Sequence, residues 1–504
     1  MNLHMSRTQA AHADALAFLA RPEKQLLIGG DWVGPADGGC MASIDPATGA
    51  QLASISVAGP ADVDAAVSAA REALRSGPWP ELTPAERSSL LWRLGDLMET
   101  HLEELAELET LDQGKPLGVG FYAEIPGAIG QFRYFAGQAS KIEGATIPSS
   151  INYQPPGKQV FAYTRPQPVG VVAAIVPWNS PLVLTAMKLA PALAAGCTIV
   201  LKPAEDTSLT AIRLGELFVD AGFPPGVLNI VTGPGESTGA TLAQHPQVDK
   251  VAFTGSTETG RAILDAAKGN FKRVSLELGG KSPVIVLPDA DLDLATPGVA
   301  QGIFFNAGQV CVAGSRLYCH RKVYDQLLEG LCAQAQALQL GHGLDPDTQL
   351  GPLISGQHAN RVVNYIESGR DDGAQLLTGG EQLGDIGSFV TPTIMADVQP
   401  DMSVVREEIF GPVLVAAAFD DVDEVVSLAN DSIYGLAASV WTQDLSAAHR
   451  LADRIEAGTV WINGHSLYDA SLPIGGIKQS GWGRDSGRRA VENYQELKTV
   501  CAVI

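Results

Sequence analysis

A chain of 504 residues is too long for one hydrophobic core, so two or three domains are expected. Hydrophobic residues make up 45% and charged residues 18%, which excludes a disordered or fibrous protein. The formal net charge of −22 repels phosphate backbones and anionic lipid, so no nucleic acid and no membrane is expected as a partner.

Residues 1–20 read as an N-terminal extension. The stretch from Met1 to Arg21 contains His4, His12 and Asp14 and has no continuous apolar core, so it does not read as a signal peptide. It reads as a short leading helix or a partly disordered arm. From Ala61 to Glu109 apolar residues recur at helical spacing: Val63, Ala66, Val67, Ala70 and Leu74 in one stripe, Leu90, Leu91, Leu94, Leu97 and Met98 in another. These are amphipathic helices whose role is packing. Glu143 to Pro168 carries Pro and Gly with short alternating runs, such as Val160 to Thr164, and predicts a β-hairpin outside the core.

The middle of the chain alternates. Strands are predicted at Val169–Val176, Thr198–Leu201, Val227–Val231 and Val251–Phe253, with helices near Leu184–Ala195, Ala211–Ala221, Thr238–Gln244 and Thr257–Ala267 between and after them. Strands that are apolar throughout, separated by helices, predict a parallel sheet covered on both faces, a doubly wound layout of the nucleotide-binding kind. The segment Pro181 to Cys197 comes nearest to a membrane span, but Lys188, Pro191 and Gly196 favour a buried helix. A second α/β series runs from Pro283 to about Val460, and Leu497 to Ile504 reads as one more strand. Exposed strand edges usually pair, and a neighbouring subunit is the expected partner.

Several short motifs carry chemistry. The glycine cluster from Thr232 to Gly239 includes Gly235, but Pro234 weakens it, and by itself such a cluster is more often a turn than a phosphate cradle. The loop Gly255 to Gly260 follows a strand and opens a helix, so its free N–H groups and the Ser256 hydroxyl suit a pyrophosphate. Lys202 and Glu205 sit past a strand end, where open α/β sheets bind ligands. A carboxylate there accepts from both ribose hydroxyls of an adenosine, although a surface Lys–Glu pair is the plainer alternative.

Six cysteines, Cys40, Cys197, Cys311, Cys319, Cys332 and Cys501, form no C-x-x-C pair and no zinc-like spacing, so no metal is expected. A disulfide framework is implausible at that density, and a reducing cytoplasm fits. A lone Cys is usually a small buried hydrophobe. Cys311 differs because it follows Phe304-Phe305-Asn306-Ala307-Gly308-Gln309-Val310, a polar, Gly-containing loop, and a nucleophile needs access and thiolate character. Glu277 lies between Leu276 and Leu278, where burial would raise its pKa toward that of a base working near neutrality. A solitary Glu there could equally be paired with a nearby lysine.

Taken in order, Pro177-Trp178-Asn179, Leu201 to Glu205, Gly255 to Gly260, Glu277 to Gly280, Phe304 to Cys311 and Glu407-Glu408-Ile409-Phe410-Gly411-Pro412 resemble the aldehyde dehydrogenase superfamily, from about Leu27 to the end. The resemblance implies an α/β fold with a doubly wound Rossmann-like cofactor domain (21–142 and 169–276), an α/β catalytic domain (277–479) and a small β-hairpin oligomerisation element (143–168 and 480–504). It implies a homo-oligomer, dimer or tetramer, and NAD as cofactor, with NADP less favoured. It makes Cys311 the nucleophile, Glu277 the general base and Asn179 the side-chain half of an oxyanion hole. Lys202 and Glu205 would hold the adenosine ribose and Ser256 the pyrophosphate. Glu408 and Phe410 would position the nicotinamide end. Val176, Pro177, Trp178, Gly235, Phe253, Gly255, Leu278 and Gly279 complete the implied cofactor site. Lys188 matches a lysine on a proton path from the base. Asp485 stands where many relatives have Glu, which puts that position's role in doubt.

The same resemblance places Gly458 to Pro473, including Tyr468, beside the substrate tunnel, and this segment is similar to that of phenylacetaldehyde dehydrogenase-like members. Ser180, where many relatives carry Phe, would widen the tunnel, and Met187, where Trp is common, would give it a flexible apolar wall. With no Arg or Lys at these positions, anionic semialdehydes would find no partner. A bulky apolar aldehyde is expected, aromatic or arylacetic first, terpenoid or aliphatic next, with a broad-range enzyme as the alternative. A CoA-acylating enzyme would lack the base, and a crystallin-like structural protein would have no need of Cys311, Glu277 and Asn179.

Overall fold

Alternate residues of the central strands serve different layers. Val172 and Ala174 pack into one apolar cluster, and Val171, Ala173 and Ile175 into another on the opposite face. This is what a strand buried on both faces requires, because successive side chains point to opposite sides. The structure, a computed structural model, describes residues 11–153, 155–384 and 386–504.

The strand Val171–Ile175 lies in an eight-stranded sheet with the spatial order Asp31–Val33, Leu26–Ile28, Leu228–Ile230, Thr198–Lys202, Val171–Ile175, Lys250–Thr254, Arg273–Glu277 and Gly481–Trp482. The middle five are parallel; the flanking strands run antiparallel. One face is covered by helices that include Pro84–Thr100, Ile125–Gln138 and Pro181–Ala195, the other by Pro60–Arg75 and Thr257–Ala267. The fold is therefore doubly wound α/β. The helix expected from Leu184 begins one turn earlier, at Pro181, whose fixed φ suits the first helical position, and it ends at Gly196 with φ 91°.

A second sheet of seven strands, ordered Gln375–Thr378, Thr393–Ala396, Val413–Phe419, Arg316–His320, Pro283–Val286, Ala437–Trp441 and Thr459–Ile462, is parallel except for its first strand.

The expected hairpin is present and extends into a three-stranded antiparallel sheet. Val160–Pro168 pairs with Thr146–Ile147 at two positions, Thr146↔Tyr163 and Ile147↔Ala162. Its main partner is Gln495–Val503, along the full nine residues of that strand. The final strand thus finds its partner within its own chain, where a neighbouring subunit was expected; the local alternation at Val160 gives no hint of a partner over 300 residues away. The outer edge of Gln495–Val503 stays open in the described sheet. At the other end, Ala13–Leu19 is a short helix that buries Ala15 and Phe18; the earlier part of the expected N-terminal extension, residues 1–10, lies outside the described residues. No described helix is long and apolar enough to cross a membrane.

Candidate active site

The helix Leu292–Phe304 is followed by a tight turn in which Asn306, Ala307 and Gly308 have φ of 49°, 53° and 71°. Left-handed backbone costs roughly 1–2 kcal/mol at a residue with a Cβ, so this turn has to be held. Asn306 Nδ2 donates to Asn179 O at 2.9 Å, Gln309 Nε2 donates to Asn306 O at 3.1 Å, and Gln309 Oε1 accepts the Ile354 N–H at 2.9 Å. A Cβ on Gly308 would lie 2.0 Å from Gly411 O, so only glycine fits against that segment. The turn delivers Cys311 to the wall of a cavity. Asn179, 4% exposed, lines the same cavity and gives one amide N–H to Gln309 O at 2.9 Å. Burial pushes the Cys311 thiol up to about 12, and the carboxyls of Glu408 and Glu277 add to that, against the nearby N–H groups of Val312 and Cys311. The protein alone therefore disfavours the Cys311 thiolate, through burial first and the two carboxyls second.

Glu277 ends the strand Arg273–Glu277, between Thr254 and Gly481. Its Oε1 is buried and has no hydrogen-bond partner. Gly475, at φ 155°, leaves room for that oxygen: a Cβ there would stand 2.6 Å from it. Burial raises the Glu277 carboxyl well above its ordinary range, and Asp485 raises it further; Lys188, Arg484 and the Gly476 N–H oppose this. Among the described residues, Glu277 forms no ion pair with lysine. Lys188 Nζ lies 2.8 Å from Asp485 Oδ2, both groups buried.

The implied cofactor residues gather at the carboxyl ends of the parallel strands, the usual ligand position of an open α/β sheet. Lys202 Nζ lies 2.8 Å from Glu205 Oε2, and Glu205 Oε1 accepts the Gly235 N–H at 3.2 Å. Burial works to raise the Glu205 carboxyl, but Lys202 outweighs it and holds the group below its usual range. Ser256 caps the helix Thr257–Ala267, its Oγ accepting the Thr259 N–H at 3.0 Å, at an exposed N-terminus. Such an end carries partial positive charge and unused N–H donors. A carboxylate with a lysine beside it for ribose hydroxyls and an open helix start for phosphates fit a dinucleotide.

Phe253 is buried in the sheet, its ring beneath Gly255, where a Cβ would fall 2.5 Å away. Val176 donates its N–H to Lys202 O at 3.2 Å and Leu278 to Ser480 O at 3.0 Å. Glu408 Oε1 accepts the Gly280 N–H at 2.9 Å, and its other oxygen presses on Gly279, where a Cβ would be 2.0 Å distant. Burial lifts the Glu408 carboxyl to about 7. Phe410, at φ 61°, stands perpendicular to Trp178, which follows Pro177, with ring centroids 5.3 Å apart. His358, which no sequence signal marks, packs edge-on to Trp178 and places Nε2 2.8 Å from Phe410 O.

The cavity at Cys311 and Glu277 has a volume of about 800 Å³, and among the described residues no Lys or Arg lines it. Ser180, Met187 and Tyr468 all lie on its wall. Glu124 lies there too, missed by sequence reading. Ser180 Oγ donates to Glu124 Oε1 at 3.0 Å. Behind Glu124 stands a buried lysine: Lys115 Nζ is 2.7 Å from Glu109 Oε1 and 3.7 Å from Glu124 Oε1. Burial raises the Glu124 carboxyl, against the pull of Lys115.

Residues 32–500 match the model of the aldehyde dehydrogenase family. The chain is 48% identical to a phenylacetaldehyde dehydrogenase of Pseudomonas fluorescens, over 98% of this chain and 99% of that one. An aldehyde dehydrogenase from Bacillus cereus, solved as an NAD+ complex, superposes with a TM-score of 0.96 at 48% identity, covering 99% of this chain and 100% of that one. An indole-3-acetaldehyde dehydrogenase from P. syringae, solved with NAD+ and IAA, gives a TM-score of 0.94 at 41% identity, covering 98% and 100%.

Proposed function

Because the chain belongs to the aldehyde dehydrogenase family, and so is an NAD-dependent aldehyde oxidoreductase, we propose that it oxidises a bulky apolar aldehyde, aromatic or arylacetic, on Cys311. The observation that carries this reading is the cavity: about 800 Å³, reaching Cys311, Glu277 and Asn179, with no Lys or Arg among the described residues on its wall. A carboxylate-bearing aldehyde would be desolvated there without a partner. The similarity to enzymes named for phenylacetaldehyde and indole-3-acetaldehyde supports the arylacetic class.

Each residue has a part. Cys311 Sγ, as the thiolate once its proton has passed to solvent, attacks the carbonyl carbon. One N–H of Asn179 is committed to Gln309 O; the other, with the Cys311 backbone N–H, holds the oxyanion, and donors of this kind contribute about 3–4 kcal/mol each. Bound NAD would supply the hydride acceptor that lets the substrate carbon be oxidised. The substrate is then a thioester of Cys311. Glu277, with an unpartnered buried oxygen and a raised pKa, takes a proton from the water that attacks it, and the carboxylate product frees the sulfur. Lys188 and Asp485 stand behind Glu277 to carry that proton away. Lys202, Glu205 and Ser256 hold the adenosine and pyrophosphate, Glu408 and Phe410 the nicotinamide end. This carboxylate at Glu205 favours NAD over NADP.

The same reading assigns residues 21–142 and 169–276 to the cofactor domain, 277–479 to the catalytic domain, and 143–168 with 480–504 to contacts in a cytoplasmic homodimer or homotetramer. The decisive experiment is NADH formation with phenylacetaldehyde, a terpenoid aldehyde, acetaldehyde and succinic semialdehyde. The arylacetic substrate should have the highest kcat/KM. If acetaldehyde or succinic semialdehyde leads, the substrate class is wrong.

A further inference from the structure

The cavity wall is not uniformly apolar. Glu124, Gly127 and Gln131 all line it, at positions i, i+3 and i+7. Glu124 caps the helix Ile125–Gln138, so this spacing puts the three on one helical face, with the two polar side chains roughly 10 Å apart along it. Both are buried, at 7% and 3% exposure. Each has one satisfied end and one orphan. Glu124 Oε1 accepts from Ser180, while Oε2 has no partner; Gln131 Nε2 donates to Ser486 Oγ at 2.8 Å, while Oε1 has none. A buried acceptor without a donor costs about 1–3 kcal/mol. Two on one face of a binding cavity point to a ligand that brings the donors.

The electrostatics agree. Lys115 stands between Glu109 and Glu124, closer to Glu109. One ammonium facing two carboxyls leaves this wall short of positive charge, which favours an O–H or N–H dipole and repels an anion. We infer that Glu124 is a specificity-determining residue, whose free oxygen, seconded by Gln131, accepts a hydrogen bond from a hydroxyl or N–H on the ring of an aromatic aldehyde. This rests on the proposed aromatic substrate class and narrows it from plain hydrocarbon rings to donor-bearing ones. A site built to accept such a bond discriminates strongly against the analogue that lacks it, because its own polar group is then left unpaired.

The test compares kcat/KM for 2-, 3- and 4-hydroxyphenylacetaldehyde with the matching methylphenylacetaldehydes, which have similar volume and no donor, and with phenylacetaldehyde. In the unaltered enzyme at least one hydroxy isomer should exceed its methyl counterpart by about tenfold or more. In Glu124→Leu that ratio should fall to near one, while Glu124→Gln, which keeps an acceptor oxygen, should retain most of it. Glu124→Leu leaves Lys115 its closer partner, Glu109, so the buried charges stay balanced. Ratios near one for all three isomers in the unaltered enzyme overturn the inference whatever the variants do. A preference that survives Glu124→Leu overturns the assignment to Glu124. Failure of phenylacetaldehyde and all its derivatives, with acetaldehyde turned over, instead sinks the proposed substrate class, so the two failures are distinct.

Discussion

Asp485 holds Lys188 in a buried ion pair 2.8 Å long, and the same carboxylate is, after burial itself, the strongest influence raising the pKa of Glu277. One short side chain thus serves two groups that lie 89 residues apart in sequence (277 − 188). Its negative charge disfavours the ionised form of Glu277; the positive charge of Lys188 favours it. Asp485→Asn should therefore lower the Glu277 pKa and move the acid limb of the pH–kcat profile to lower pH, and Lys188→Met should move it to higher pH. Shifts in the reverse sense would refute the electrostatic role. Asp485→Ala strands a buried ammonium, which should cost about 3–5 kcal/mol of stability in thermal or denaturant unfolding.

The resting sulfur should be a poor nucleophile. With the Cys311 thiol pushed up to about 12, its thiolate fraction grows about tenfold per pH unit through the whole range below that value. Alkylation of Cys311 by iodoacetamide in the cofactor-free protein should keep rising from pH 8 to pH 10. A plateau by pH 8, read by mass spectrometry of the Cys311 peptide, would show that a nearby cation lowers the pKa after all. Cys311→Ala should abolish NADH formation and leave the NAD-induced rise in Tm in place.

Glu277→Gln separates the two halves of the reaction. The variant should still form the thioester and reduce one equivalent of NAD, then stall for want of a base. Rapid mixing should show a burst of NADH of about one per site, and mass spectrometry an acylated Cys311. Undiminished steady-state turnover would mean that the water is activated by another group.

Cofactor choice should follow Glu205. Its carboxylate is held ionised by Lys202 and would face a 2′-phosphate with like charge. NAD should exceed NADP in kcat/KM, and Glu205→Gln should narrow the gap by raising the NADP value. Equal values in the unaltered enzyme would remove Glu205 from that role.

Ser180→Phe should fill the cavity beside Asn179 and also take the hydroxyl from Glu124 Oε1. Arylacetic aldehydes should lose far more kcat/KM than acetaldehyde does. A uniform loss would mean that Ser180 shapes the oxyanion site, not the tunnel.

The local motifs are legible in the sequence because their physics is local. A strand end followed by a glycine-bearing loop and a helix start marks Gly255 and Ser256, a Lys and a Glu past a strand end mark Lys202 and Glu205, and flanking leucines mark Glu277 as buried; the roles proposed for them come from the ordered resemblance to the family, not from any one motif. What escapes the linear reading depends on distant apposition. Glu124 has no motif around it and acquires its setting from Ser180 and Lys115. Lys188 and Asp485 meet across 297 residues. Phe253 is read as the end of a strand, and what that reading cannot show is that its ring packs beneath Gly255. The partner of Val160–Pro168 is set by topology, which the alternation of one strand cannot reveal.

The antiparallel strand Gly481–Trp482 has a consequence for synthesis. It pairs with Leu276 and Glu277, Asp485 follows it, and Gln495–Val503 then clamps Val160–Pro168. A nascent chain in which Cys311, Glu277 and Asn179 have all emerged from the ribosome still has the edge of the base's own strand uncovered and Lys188 without its counter-ion. A chain cut before residue 481 would leave that edge bare and the Lys188 ammonium unpaired, so it should be less stable than the full chain and oxidise aldehydes more slowly, if it folds at all.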